Sequence, residues 1–132
     1  MSEDSEGDFV QVRLPADSQY LSVLRTATAG LAARLDFTLD EIEDLRIAVD
    51  EACAMLLSHA LPGGDLTTVF TLADNALIVR VSVPTSDGRL PSRDTFAWTV
   101  LNALAGEVEA SRDDANRVSV TMTKKRGATG ML

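Results

Sequence analysis

The sequence predicts an α+β domain in which helices lie in one layer over a largely antiparallel sheet. Three observations carry that expectation. Short runs that alternate apolar and polar residues stand near the start, the middle and the end of the chain, which is the period of half-buried strands. Between them lie longer runs with an apolar residue every three or four positions, the period of amphipathic helices. The order that results is β-α-α-β-β-α-β-β, and elements segregated in this way build an α/β sandwich.

Each element has its own signal. "FVQVRL", Phe9 to Leu14, alternates and reads as the first strand. "PADSQ" interrupts it and offers Asp17 or Ser18 as an N-cap. Leu21, Leu24, Thr28, Leu31 and Leu35 then form the stripe of a first helix, with Arg25 and Arg34 off it. "TLDE", Thr38 to Glu41, has the form of a capping box. The second helix that it opens carries Ile42, Leu45, Val49, Ala52 and Leu56 on its buried side, and "LPGGD" ends it. "LTTVFTL" and "ALIVRVSV", parted by Asp74 and Asn75, read as a hairpin. In its second strand Leu77, Val79, Val81 and Val83 share a face.

Pro84 to Asp94 is dense in Pro, Gly, Ser and Asp and reads as a loop. "TFAWTVLNALAG" is a short third helix, capped by Asp94 or Thr95 and stopped by Gly106. A weak strand, Glu107 to Ser111, and a clear one, Arg117 to Thr123, complete the sheet. Residues 8–124 thus form one domain, with a disordered acidic tail at 1–7 and a flexible basic tail at 125–132.

Bulk properties narrow the function. With 132 residues and 45% apolar content the chain fits one soluble globular domain. No apolar run approaches the roughly 18 residues of a membrane span, and the polar start resembles no signal or transit peptide, so a cytoplasmic protein is expected. Cys53 is the single cysteine and His59 the single histidine, too few for a His/Cys metal cluster. The net charge of −8 argues against direct nucleic-acid binding. It either favours a basic partner or serves solubility alone.

Few residues have the spacing of a site. Asp50 and Glu51 are adjacent in the second helix, point about 100° apart, and so make no acid–base pair. Glu51 shares a face with Met55, Ile47 and Asp44, a pattern that a solvated helix face also explains. His59 near the helix end reads as a cap or dipole partner. Cys53, beside the apolar stripe, reads as a small inert hydrophobe. The chain has no GxGxxG or GxxxxGK[ST] motif, and Gly88 alone in its loop supports a turn, not a phosphate cradle. Phe96 and Trp98 are core anchors or a partner hot spot. Arg25 is either a surface arginine or a bidentate contact for a partner carboxylate.

"LDEIEDLRIAVDEACAMLLSHA", preceded by a helix with Arg25 and followed by a hairpin, resembles the RsbW-type anti-sigma factors. These are serine-kinase-like members of the GHKL (histidine-kinase-like) ATPase superfamily. The likeness covers about residues 8 to 124, and "DLRIAVDEAC" with "FAWTVLNALAGEVE" resembles the actinobacterial anti-sigma-F branch. It implies a histidine-kinase-like ATPase sandwich. Glu51 matches the family's acid, while Met55 stands where the family has the asparagine that holds Mg²⁺ with the nucleotide phosphates. A thioether is a poor ligand for that hard cation. Asp87-Gly88 is a displaced fragment of the adenine-reading Asp-x-Gly box. The ATP lid is shortened to about eleven residues, and Thr95-Phe96-Ala97 stands at its Gly-x-Gly end.

The resemblance therefore implies an anti-sigma factor with a vestigial nucleotide site at Glu51, Met55, Asp87 and Gly88. No cofactor and no kinase activity are expected of it. An active ATP- and Mg²⁺-dependent serine kinase of an anti-anti-sigma protein is the alternative. Arg25 matches the arginine with which family members contact both the sigma factor and the STAS-type (anti-anti-sigma) protein. Homodimerisation is implied by the family alone.

Overall fold

Residues 8–127 are described by the computed structural model, and their elements follow the predicted order. They are β1 (Phe9–Pro15), a 3₁₀ turn (Ser18–Tyr20), α1 (Leu21–Arg34), α2 (Leu39–Leu57), β2 (Asp65–Leu72), β3 (Ala76–Pro84), α3 (Phe96–Ala105), β4 (Glu107–Arg112) and β5 (Arg117–Lys125). The strands make one antiparallel sheet in the order β1-β2-β3-β5-β4. α3 carries the chain from β3 over β5 to the far edge. One cross-strand row, Val12, Thr68, Val81, Val120 and Ala110, shows the register under the helices.

The predicted face of β3 is the buried one: Leu77, Val79, Val81 and Val83 are sealed from solvent with Leu66, Phe70, Val118, Val120 and Met122 from its neighbours. α1, α2 and α3 cover this face and add Leu24, Leu45, Val49, Leu56 and Leu101 to the same core. A leucine fully buried in such a layer is worth about 2–5 kcal/mol over alanine. The opposite face is polar, and Arg117 lies across it. Its guanidinium donates to Asp65 Oδ1 (3.0 Å), Thr67 Oγ1 (2.9 Å) and Ser82 Oγ (3.0 Å).

Local signals set the helix limits. Thr38 Oγ1 accepts from the Glu41 N–H at 3.1 Å and Glu41 Oε1 from the Thr38 N–H at 2.7 Å, so the capping box is complete. Asp17 caps the 3₁₀ turn that leads into α1, and Thr95, not Asp94, caps α3. The stripe of α1 departs from expectation. Leu21, Leu24, Thr28 and Ala32 are buried, whereas Leu31 and Leu35 are half-buried. The helix stops at Arg34 because Asp36 turns to a φ of 62°, which folds Phe37 under the domain in place of a further helical turn.

The predicted flexible tail begins too early. β5 runs to Lys125, and beyond it Arg126 donates to the Leu35 carbonyl and to Asn75, while the Gly127 N–H donates to Glu41 Oε2 at 2.6 Å. Residues 125–127 are thus tied to three distant segments. The remainder of that tail, and the acidic segment 1–7, lie outside the described residues. Among the described residues no helix is long and apolar enough to cross a membrane.

Candidate functional site

α2 is the central helix, with α1 on one flank, α3 on the other and the sheet beneath. Its residues Leu45, Ala48, Val49, Ala52, Cys53 and Leu56 go to the core. The side chains left over emerge in two seams, one toward α1 and one toward α3.

In the first seam Arg25 of α1 meets Asp50 of α2. The Arg25 Nε donates to both carboxylate oxygens of Asp50 at 2.9 Å, and both side chains stay partly exposed. Arg25 is therefore neither isolated nor a free surface arginine: it is held by an acid 25 positions away. Asp50, which points away from Glu51 and makes no pair with it, forms this clamp instead. Each of the two follows a buried stripe residue, Leu24 and Val49, and so stands at the border of its helix's apolar face. Beside the clamp a cleft of about 440 Å³ is lined by Arg25, Thr26, Ala29, Gly30 and Arg46. Arg46 is braced by Glu43, Nη1 to Oε1, at 3.0 Å.

Cys53 lies beneath this seam, fully buried. Burial, reinforced by the Asp50 carboxylate against a smaller opposing effect of Arg25, pushes its thiol up to about 12. It is the inert hydrophobe that its neighbours predict.

The second seam holds a cavity of about 230 Å³ lined by Met55, Ser58, His59, Pro91, Ser92, Thr95 and Ala97. Met55 thus faces the loop before α3, while Ser58 Oγ is spent on the Met55 carbonyl at 2.8 Å. His59 is exposed and lines this cavity. Glu51 sits one turn before Met55 on α2 but is not among the lining residues.

Asp87 and Gly88 are not brought to this cavity either. Asp87 Oδ1 accepts the Arg89 N–H at 3.0 Å, and the Gly88 N–H donates to Thr85 Oγ1 at 2.8 Å. The Gly88 carbonyl accepts from Arg112 at 3.2 Å. Gly88 has a φ of 69°, and a Cβ there would come within 2.6 Å of Asn116 Oδ1, so glycine is needed for a tight turn against the β4–β5 connection. That connection is itself fixed by Asp113, which accepts the backbone N–H groups of Arg117 and Ala115; these bonds hold its carboxyl below the usual range. Phe96 and Trp98 have opposite fates. Trp98 is buried, with the Arg93 guanidinium 5.7 Å from its ring centroid, and Phe96 is 82% exposed.

No protein-family model matches the chain. Proteins named "Serine-protein kinase RsbW" from Bacillus thuringiensis, Bacillus cereus and Bacillus anthracis are each 36% identical to it over 75 residues. That region is 55% of this chain and 47% of each relative, so the chain spans about half the length of the curated relatives it matches. A solved structure of the RsbU and RsbW domains of Rv1364c from Mycobacterium tuberculosis superimposes with a TM-score of 0.69 at 17% identity. It covers 90% of this chain and 32% of that one. The chain therefore has the RsbW-domain fold, the histidine-kinase-like sandwich, and over about half its length its sequence is similar to RsbW serine-protein kinases.

Proposed function

We propose that this protein is a cytoplasmic anti-sigma factor that acts by sequestration, without phosphoryl transfer. It binds a sigma factor and gives it up to a STAS-type antagonist that competes for the same face. The likeness to RsbW proteins supports the regulatory role. The single observation that separates this reading from an active kinase is Met55. It stands in the second seam at the position where the family carries an oxygen ligand, and a thioether does not replace one for Mg²⁺.

The neighbouring groups do not fit a magnesium–nucleotide complex better. The Gly88 N–H and one oxygen of Asp87 are committed to the loop's own turn. The loop that would close over phosphates is short and opens onto an α3 whose first residue is an exposed phenylalanine. Phosphoryl transfer depends on a positioned metal and held phosphates, and this donor set supports neither. Competition at one face needs no chemistry, since occupancy then follows the concentrations and affinities of the two partners. Arg25, with Asp50 fixing its inner edge, is the residue we assign to that face.

Two measurements test the reading. The protein is titrated with the sigma factors of its own genome, and separately with ATP and Mg²⁺ by calorimetry. Tight binding of one sigma factor and no heat with nucleotide are expected. The kinase reading is favoured by the names of the relatives. It prevails if ATP binds at micromolar concentration, the binding is lost in Glu51→Ala, and phosphate is transferred to a STAS-type protein.

A further inference from the structure

α1 is held to the domain more weakly than the helix beside it. α2 seals Leu45, Ala48, Val49, Ala52, Cys53 and Leu56 into the core. α1 buries only Leu21, Leu24, Thr28 and Ala32, of which two are large and apolar. Packing of an apolar face is what holds a helix of this length in place.

Three local features weaken α1 further. Its N-cap position, Tyr20, makes no side-chain cap bond. Gly30 stands inside it, exposed, and a Cβ there would meet nothing within 4 Å, so no contact requires this poor helix former. Thr28, at the centre of the buried stripe, turns its hydroxyl back onto the Leu24 carbonyl at 2.6 Å and so binds nothing outside the helix.

The sheet below adds a fourth feature. α1 lies over β2, whereas α2 lies over β3 and β5. Thr68 of β2 is on the helix side, in the row with Val12 and Val81, and is fully buried. Its Oγ1 has no hydrogen-bond partner among the described residues. A buried hydroxyl left unpaired raises the free energy of the closed state, and water relieves it when the cover lifts.

What fastens α1 sideways is polar and lies at the surface. Arg25 is bound to Asp50 of α2 at 2.9 Å, with both side chains partly exposed. At the other end Arg126 Nη1 donates to the Leu35 carbonyl at 3.0 Å. Exposed contacts of this kind contribute little each. Beyond them the pairing of β1 with β2 and the buried Phe37 keep the chain on either side of α1 in place. Detached, a 14-residue helix with an internal glycine does not persist in water.

We propose that α1 unfolds as a unit of its own while α2, α3 and the sheet stay folded, and that the Arg25–Asp50 and Arg126–Leu35 contacts are the two catches that set how often it does so. The face that carries Arg25 then exists in a formed and an unformed state, and whatever binds one of them shifts the balance. The proposal does not rest on the anti-sigma reading.

The single cysteine reports the opening. Cys53 follows Asp50 by three residues on α2, so it is on the side that faces α1, and it is fully covered. The full chain is labelled with iodoacetamide in rising urea, each rate being referred to that of the same variant unfolded. Hydrogen exchange of peptides from 21–34 and 39–57 is followed in parallel by mass spectrometry. Labelling is expected to be at least ~10-fold faster than global unfolding allows, with less than about half its urea dependence. The amides of α1 exchange in step with it, and those of α2 hold to the global limit. Thr68→Val slows labelling about 10-fold and Gly30→Ala about 5-fold. Asp50→Ala and Arg126→Ala speed it by up to about 5-fold. Labelling that follows global unfolding in rate and urea dependence overturns the proposal, as does exchange of α2 together with α1. Wild-type labelling in both Asp50→Ala and Arg126→Ala overturns the two catches, and wild-type labelling in Thr68→Val removes the buried hydroxyl from the cause.

Discussion

The two seams along α2 differ in what their polar atoms are already doing. Toward α1, Arg25 and Arg46 are each braced by one acid through a single nitrogen, and their other nitrogens have no partner among the described residues. Toward α3, the polar groups of the loop and of the helix end are largely consumed by local turns, and the side chain at the centre is a methionine. One seam has the electrostatics of a recognition surface. The other is a cavity whose hydroxyls, from Ser58, Ser92 and Thr95, are engaged in local hydrogen bonds and which no carboxylate lines. A single helix supports both because its buried stripe, Leu45 to Leu56, is indifferent to what its flanks carry.

The largest effect should come from reversing the charge at the first seam. Arg25→Glu removes the guanidinium and sets two acids against each other. It should weaken sigma-factor binding at least ~100-fold, which is about 2.7 kcal/mol. Asp50→Ala leaves the arginine but frees it. The loss expected there is about 10-fold, the cost of ordering one long side chain on binding. Because the pair is partly exposed, stability should fall by no more than about 1 kcal/mol in Asp50→Ala. Titration and thermal melting of the two variants separate recognition from folding. Unchanged affinity in both would make the two seams equally silent.

A further effect, on stability and not on affinity, should appear at alkaline pH, beneath the first seam. The Cys53 thiol is raised from 9.0 to about 12. Between these values the unfolded chain has released the proton and the folded chain still holds it. The stabilisation is therefore complete below pH 9 and is lost as pH rises toward 12, with a slope of up to about 1.4 kcal/mol per pH unit. Denaturant melts from pH 8 to 11 should show this slope in wild type and a shallower one in Cys53→Ala. Equal slopes would mean that water reaches the base of the first seam.

What could be read from the sequence divides along physical lines. α2 and β3 were legible because capping and alternation are local: Thr38 with Glu41, and Leu77 through Val83. The fates of Phe96 and Trp98 were legible in principle. Two residues apart on a helix point roughly 200° apart, so only one of them can face the core. The Arg25–Asp50 clamp was not, because nothing in sequence spacing joins positions 25 apart on two helices until both stripes are packed. The end of β5 was misread for a similar reason. Basic composition suggested a loose tail, whereas the acceptors that tie Arg126 and Gly127 come from Leu35, Asn75 and Glu41.

The smallest effect, and the sharpest for the comparison, is expected from Met55→Asn. This change places an oxygen donor at the position that the resemblance to RsbW-type proteins matches to an oxygen ligand and, at a half-buried site, should cost about 1 kcal/mol of stability. If Met55 were the only obstacle, calorimetry with ATP and Mg²⁺ would then show micromolar binding absent from wild type. No binding is expected even at millimolar nucleotide. The Gly88 N–H would still be donated to Thr85, Asp87 would still hold the Arg89 N–H, and neither residue would line the cavity. To reach a nucleotide they would have to leave the turn that Asn116 and Arg112 pack against, and glycine at 88 is fitted to that turn by its positive φ. A donor placed on α2 would face the Ser92 and Thr95 hydroxyls, which are engaged within their own loop and the first turn of α3. That outcome would mean that the course of the loop, as well as one side chain, keeps nucleotide from the second seam.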